Sequence, residues 1–533
     1  MILTRDLKIK FLGITPVLKD KTGVLNPQEI VSLSALLTFK GKSIKQLFKD
    51  IQKKEGKIDQ KIIKILQKSS LRGHASIATT PGLCLAYESS KFLDSALTGI
   101  VFSSSLVASG RRTDTTEKDV VFPQKIFSNK KARKIYKEVS GKIIKNYNFF
   151  LSENLPKDEV SKVLQYGIYG TGIIQLPVES VVALKREYEL EIGWMPEEIG
   201  MLLKKIEKET KKMGVNWLFA TRQAAPRNFY PYPNIFKDPK NSNIVRELKN
   251  KIKVPEGTKI ISTDILITPD LKKRLNKLQK ITRETFSSLK KIKNNWPNLL
   301  NLRQEILRDH NGALRFKVLS VIPWRIWGEK KRHRTVPQTI ESIYFCVDRA
   351  GKKFKEFKGQ IKKGKIQKKA LREIEEVFSV PPSIKSNPDY LKKYLLTALE
   401  AFEGYNNLIK FGIKPKDAVF LIPRGVKIDI LQDYDLYNLL AGYYPLRLCQ
   451  TAEEEMRRNT VKEIVQIKKV LKQENLGWLN SFLGPKCEMI GFCPEEKSCG
   501  NIKRSVRNYS DKFHEEMKED LRKRFEKNLK NLK

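Results

Sequence analysis

Residues 330–344 read KKRHRTVPQTIESIY, and the remainder of the chain is best understood outward from them. Arg332, His333 and Arg334 are adjacent, and seven residues (335–341) separate them from Ser342. Three neighbouring donors that are cationic or can become so suit an anionic, hydrogen-bonding partner, and a hydroxyl further along can cap a phosphate. In a chain this rich in lysine such a triplet is most often a solvated face, so its meaning rests on what surrounds it.

At 533 residues the chain exceeds one ordinary domain; a prior of roughly 150 residues each gives about two to four. Hydrophobic residues make up 40% and aromatics 9%, enough to build buried cores and to exclude a disordered chain. The net charge is +44, from 103 Lys+Arg against 59 Asp+Glu. Such a field attracts polyanions. The lysines, however, are scattered from Lys8 to Lys533 without a dominant block, and no RNA-recognition motif accompanies them. Small substrates carrying phosphates fit the field as well as nucleic acid does. Six cysteines in so long a chain are too few for a disulfide scaffold and suit a reducing compartment. The opening MILTRDLKIKFLG is not patterned as a secretory signal, and the least charged stretch, 95–110, is too short and serine-rich to span a bilayer. A soluble cytoplasmic protein without a membrane partner is expected.

Upstream, 44–51 and 58–66 place aliphatics at helical spacing. At Gly73 the texture changes to GHASIATTPGLCLAYESSKFLDSALTGIVFSSSLVASGRRTD, rich in small, β-branched and hydroxyl residues, with His74 at its start and Ser109-Gly110-Arg111-Arg112 at its end. Lysine-rich helix returns at 125–148. That segment has a later partner: Tyr147-Asn148 then Pro156-Lys157-Asp158, against Tyr405-Asn406 then Pro415-Lys416-Asp417. Each reaches an aliphatic-proline pair, read as Leu176-Pro177 and Ile422-Pro423. The repeated order predicts an internal duplication, with an N-terminal domain over 1–245, a C-terminal domain over 246–533, and a join in the Pro-, Asn- and Lys-rich stretch 230–257. A strand is expected at 258–268, long helices through 307, and a helical apolar face with Arg447 inside it at 436–458. The tail 484–533 contains GPKCEMIGFCPEEKSCG. The equal spacing of Cys487, Cys493 and Cys499 invites a zinc reading, but the sequence has no CxxC pair and no obvious fourth ligand, so no metal is expected.

RHR, seven residues, Ser resembles the signature of the flavin-dependent thymidylate synthases. Ala418–Pro423 resembles that family's aliphatic-proline strand, Leu446-Arg447 with Glu455 resembles its late helix carrying a pyrimidine-binding arginine, and Gly73-His74 resembles its early Gly-His element. Family spacing puts Ser109-Gly110-Arg111 where the signature ends in Ser-x-Arg, while Gly99-Ile100-Val101 stand where the first half would have its RHR. Val419 stands where the family usually has another phosphate-binding arginine, with Arg424 close by, and Leu436 and Gly442 replace polar residues. The resemblance implies an α/β (α+β) fold of two tandem, divergent domains of this family, each a β-sheet packed with long helices. It implies FAD as cofactor, NADPH and methylenetetrahydrofolate as co-substrates, dUMP as substrate, dTMP as product, and a homodimer in place of the family's tetramer. Arg447 would be catalytic and pyrimidine-facing. Arg332, His333, Arg334, His74 and His310 would face the cofactors, and Ser109, Arg111 and Ser342 the substrate. Two other readings stand beside the enzyme: an inactive nucleotide-binding or scaffold homologue, consistent with the replaced polar residues, and a basic RNA-binding protein, consistent with the charge.

Overall fold

A computed structural model describes residues 2–20, 23–55, 58–100, 102–108, 114–226, 228–229, 232–254 and 257–532. Ser109 and Arg111 lie outside them. The chain is of mixed α/β class and divides into two compact units. One comprises residues 1–243, 323–332 and 340–428, the other 244–322, 333–339 and 429–533. These borders differ from a simple cut near residue 245, because helices from the middle of the second half contribute to the first unit.

In the first unit a four-stranded antiparallel sheet has the order Lys8–Thr15, Gly82–Ser90, Tyr169–Pro177, Ser104–Val107. Strand Gly82–Ser90 alternates, with Leu83, Leu85 and Tyr87 buried on one face, the period-2 pattern of a half-buried strand. It ends at Ser90, whose hydroxyl accepts from Phe92 N–H at 3.2 Å and starts helix Lys91–Leu97.

The first unit's longest helices are Lys130–Ser152 and Pro388–Lys410, both capped by asparagine. Asn129 accepts from Ala132 N–H at 3.1 Å, and Asn387 from Asp389 N–H at 2.8 Å. Asn146 Nδ2 donates to Thr397 Oγ1 at 2.7 Å, Lys142 pairs with Glu400 at 3.2 Å, and Gly404 faces Val139. Partners advance along one helix as they recede along the other, so the two run antiparallel. These are the helices that carry the repeated Tyr-Asn pairs. The segments following them also pair with each other: Gly167 N–H donates to Phe420 C=O at 2.9 Å, and Arg424 N–H to Leu164 C=O at 2.9 Å. Stacked Phe92 and Phe420, 4.1 Å between ring centres, join Tyr166 and Trp324 in the core beneath.

This pairing corrects one detail of the repeat. It sets Pro423 against Gln165, whereas Leu176-Pro177 close the strand that comes afterwards. Nor does 418–423 form a strand. Pro415 opens a short helix, Pro415–Ala418, that tightens into a 3-10 turn, Val419–Leu421.

In the second unit the sheet order is Thr258–Ile265, Leu314–Pro323, Lys427–Asp435, Gln338–Ile340. The first two strands are antiparallel, with a register shift at Lys317/Val318. Helices Pro269–Phe286 and Leu289–His310 are capped by Thr268 and Ser288 and bury Leu271, Leu275 and Leu278 in one core with Leu299, Leu302 and Ile306. The two sheets therefore share one order of strands, and in each chain segment the second strand leads into a seven-residue helix, Lys91–Leu97 or Trp324–Lys330. Among the described residues, no helix is long and apolar enough to cross a membrane.

Candidate functional site

Within the second unit, the turn that begins with His333 meets the short helix Tyr444–Arg447. Pro445 is the second residue of that helix, its fixed φ preset for a first turn, and Arg447 sits at its C-terminal end with its N–H on the Tyr443 carbonyl at 3.0 Å. The arginine's Nε donates to His333 Nε2 at 2.8 Å. A guanidinium has no acceptor, so Nε2 must be the accepting nitrogen and the ring a neutral imidazole with its proton on Nδ1. Tyr443 packs edge-on against the ring, centres 5.0 Å apart at 81°. Residues 114 positions apart in sequence are thus joined directly, and both are half-buried.

The support around the pair is rigid. Tyr443 is fully buried among Tyr434 and Tyr444, at 5.0 and 5.1 Å between ring centres. Burial holds the Tyr434 and Tyr444 phenols well above their ordinary pKa, so both stay neutral at pH 7. Asn438 fixes the turn from the other side. Its Nδ2 donates to the Thr335 carbonyl at 3.2 Å and to Asp435 at 2.7 Å, and its Oδ1 accepts from Thr335 Oγ1 at 3.0 Å. Asp435 caps helix Leu436–Leu440 through Asn438 N–H at 2.9 Å and is held in turn by Asn311 Nδ2 at 2.8 Å. Asn438 was not legible as a site residue. The only signal was Asp435 three positions before it, a capping pattern that says nothing about Thr335.

Of the other residues singled out in the sequence, Arg334 lies in the same unit and is exposed, and Arg332 lies exposed in the first unit. His310 belongs to a surface ion network: its Nε2 is 3.1 Å from Asp270, which also holds Arg274 at 2.8 Å. His74 is exposed in the first unit, with its N–H on the Ser69 carbonyl at 3.2 Å. Ser342 is fully buried there, and its hydroxyl donates to the Lys237 carbonyl at 2.6 Å. A serine has one hydroxyl hydrogen; this one is committed to backbone, against the expectation of a phosphate cap. Arg424 is likewise structural. It is buried, its Nε donates to the Gln165 carbonyl at 3.3 Å, its guanidinium lies over the Tyr166 ring, and burial lowers its pKa to about 10.

Residues 313–471 match the family model described as thymidylate synthase complementing protein. Over 128 residues the chain is 33% identical to the flavin-dependent thymidylate synthase of Thermococcus onnurineus, covering 23% of this chain and 50% of that one. Over 126 residues it is 32% identical to the enzyme of Pyrococcus abyssi, again 23% and 50%. The chain thus spans about half the length of the curated relatives it matches. Among solved structures, a UMP/dUMP methylase from Streptomyces cacaoi bound with 5-Br dUMP aligns at 10% identity and a TM-score of 0.33, covering 43% of this chain and 100% of that one. Thymidylate synthase X of Helicobacter pylori with FAD and dUMP aligns at 14% and 0.30, covering 41% and 99%.

Proposed function

We propose that this chain, a member through residues 313–471 of the flavin-dependent thymidylate synthase family, is a FAD-dependent thymidylate synthase that converts dUMP to dTMP with methylenetetrahydrofolate and NADPH. The observation that carries the reading is the direct hydrogen bond between His333 and Arg447, which joins the RHR signature to the late-helix arginine. Bound FAD supplies the hydride that reduces the transferred one-carbon unit, and NADPH replenishes it.

The donors present suit an anionic, planar cofactor. His333 carries its proton on Nδ1, and Arg332 and Arg334 are exposed cations beside it in sequence. A charge-assisted hydrogen bond from either arginine contributes about 1.5 to 3 kcal/mol. Arg447 acts on the pyrimidine. The Nε bond to His333 fixes the plane of its guanidinium. Such a preorganised donor stabilises the negative charge that develops on the uracil oxygen as C5 becomes nucleophilic, a contribution of roughly 3 kcal/mol. Ser109 and Arg111 are the residues that the family pattern gives to the phosphate.

Formation of dTMP from dUMP, measured by chromatography with FAD, NADPH and methylenetetrahydrofolate present, tests the reading. Arg447→Ala should lower kcat by about 100-fold or more, and Arg111→Ala should weaken dUMP binding while flavin content stays unchanged. Equal turnover in wild type and Arg447→Ala, or no product with any combination of co-substrates, would overturn it.

A further inference from the structure

Four of the six cysteines line one cavity of about 610 Å³ in the second unit: Cys449, Cys487, Cys493 and Cys499. The other two, Cys84 and Cys346, belong to the first unit. All four are free thiols. The sequence showed three at equal spacing and no fourth; folding supplies it, from 38 positions upstream of Cys487, in the loop that follows Arg447.

Burial pushes the Cys487 thiol up to about 12 and raises that of Cys493, so a bound metal would have to displace both protons. Arg457, Lys468, Lys486, Lys497 and Arg504 also line the cavity, against Glu488 and Glu495. This cationic excess offsets the net negative charge of four thiolates on a metal centre. Cys493 is followed by proline, as is a ligand cysteine of bacterial ferredoxins. Cys487 and Cys493 are themselves held in the buried cluster that contains Met489, Ile490, Phe492 and Ile502.

The sulfurs border the cavity instead of meeting at a point. Among the described residues, no three His, Cys, Asp or Glu side chains are gathered tightly enough for a single ion. Four irons with four sulfides form a larger body than one ion and hold their cysteines further apart. We infer that Cys449, Cys487, Cys493 and Cys499 ligate a [4Fe–4S] cluster, which ties the C-terminal segment to the loop that follows Arg447. The site stands whether or not the chain synthesises dTMP.

The test is metal and acid-labile sulfide analysis, with Mössbauer spectroscopy, of the full chain purified without oxygen and reconstituted with ferrous iron and sulfide. These readouts are blind to any flavin colour. The expected result is about four irons and four sulfides per chain, lost in Cys487→Ser/Cys493→Ser and retained in Cys84→Ser. About one zinc with no iron would overturn the cluster in favour of a single ion, and so would a background metal content. Iron bound equally by the double variant would remove these ligands from consideration. Should that variant fail to fold, the wild-type stoichiometry and Mössbauer spectrum decide alone.

Discussion

Arg447 and His333 show what a sequence can and cannot convey about a single side chain. Their types and motif contexts marked both, yet the bond between them arises from a fold that closes 114 residues. Ser342 was misread for the opposite reason. Its place in the motif is plain, but the carbonyl that takes its hydrogen, Lys237, lies 105 positions away. Asn438 left no functional signal at all, and it makes the most specific prediction at this scale. Asn438→Ala removes the partner of the exposed Thr335 and the half-buried Asp435, a loss of about 0.5 to 1.5 kcal/mol. Urea denaturation should show that loss. An unchanged midpoint would mean the turn holding His333 is fixed by something else.

At the scale of elements, the strands and long helices were largely legible because their periodicity is local. The 44–51 and 58–66 patterns both appear as helices, and the strand expected over 258–268 ends at Ile265. The aliphatic-proline pairs were aligned one strand too late in the first half, since proline marks the end of one element and the approach to another equally well. What the sequence could not show is that 162–168 and 420–425 hydrogen-bond to each other. Gly167 reports on that contact. A β-carbon there would sit 2.6 Å from the Phe420 carbonyl and collide with the Tyr136 hydroxyl. Gly167→Ala should therefore destabilise the first unit by about 1 to 3 kcal/mol through overpacking, read as a lowered melting temperature. A neutral result would show that the crossing has slack.

Across the whole molecule, the charge of +44 hides two carboxyls that behave differently from the surface. Burial pushes Glu198 up to about 7, against two hydrogen bonds from Ser90, and pushes Asp417 up to about 7, with Glu197 adding to the shift. Between about pH 4 and 7 the folded chain keeps protons that the unfolded chain has released, so stability falls as pH rises through that window and levels off above it. Each group contributes on the order of 3 kcal/mol to the fall. Thermal melts from pH 5 to 8 should show the decline, and Glu198→Gln with Asp417→Asn should flatten it; a wild-type melting temperature that rises over this range would contradict the assignment.

The central claim is that Arg447, held by His333, meets the pyrimidine of dUMP beside a bound flavin, and the most direct measurement is the visible absorption of the purified full chain as dUMP is added. The account predicts a flavin spectrum, distinguishable from iron–sulfur absorption by release of FAD on denaturation, that shifts on binding dUMP in the wild type and fails to shift in Arg447→Ala. A chain that carries no FAD after incubation with it, or whose flavin bands respond to dUMP equally without Arg447, would contradict the account.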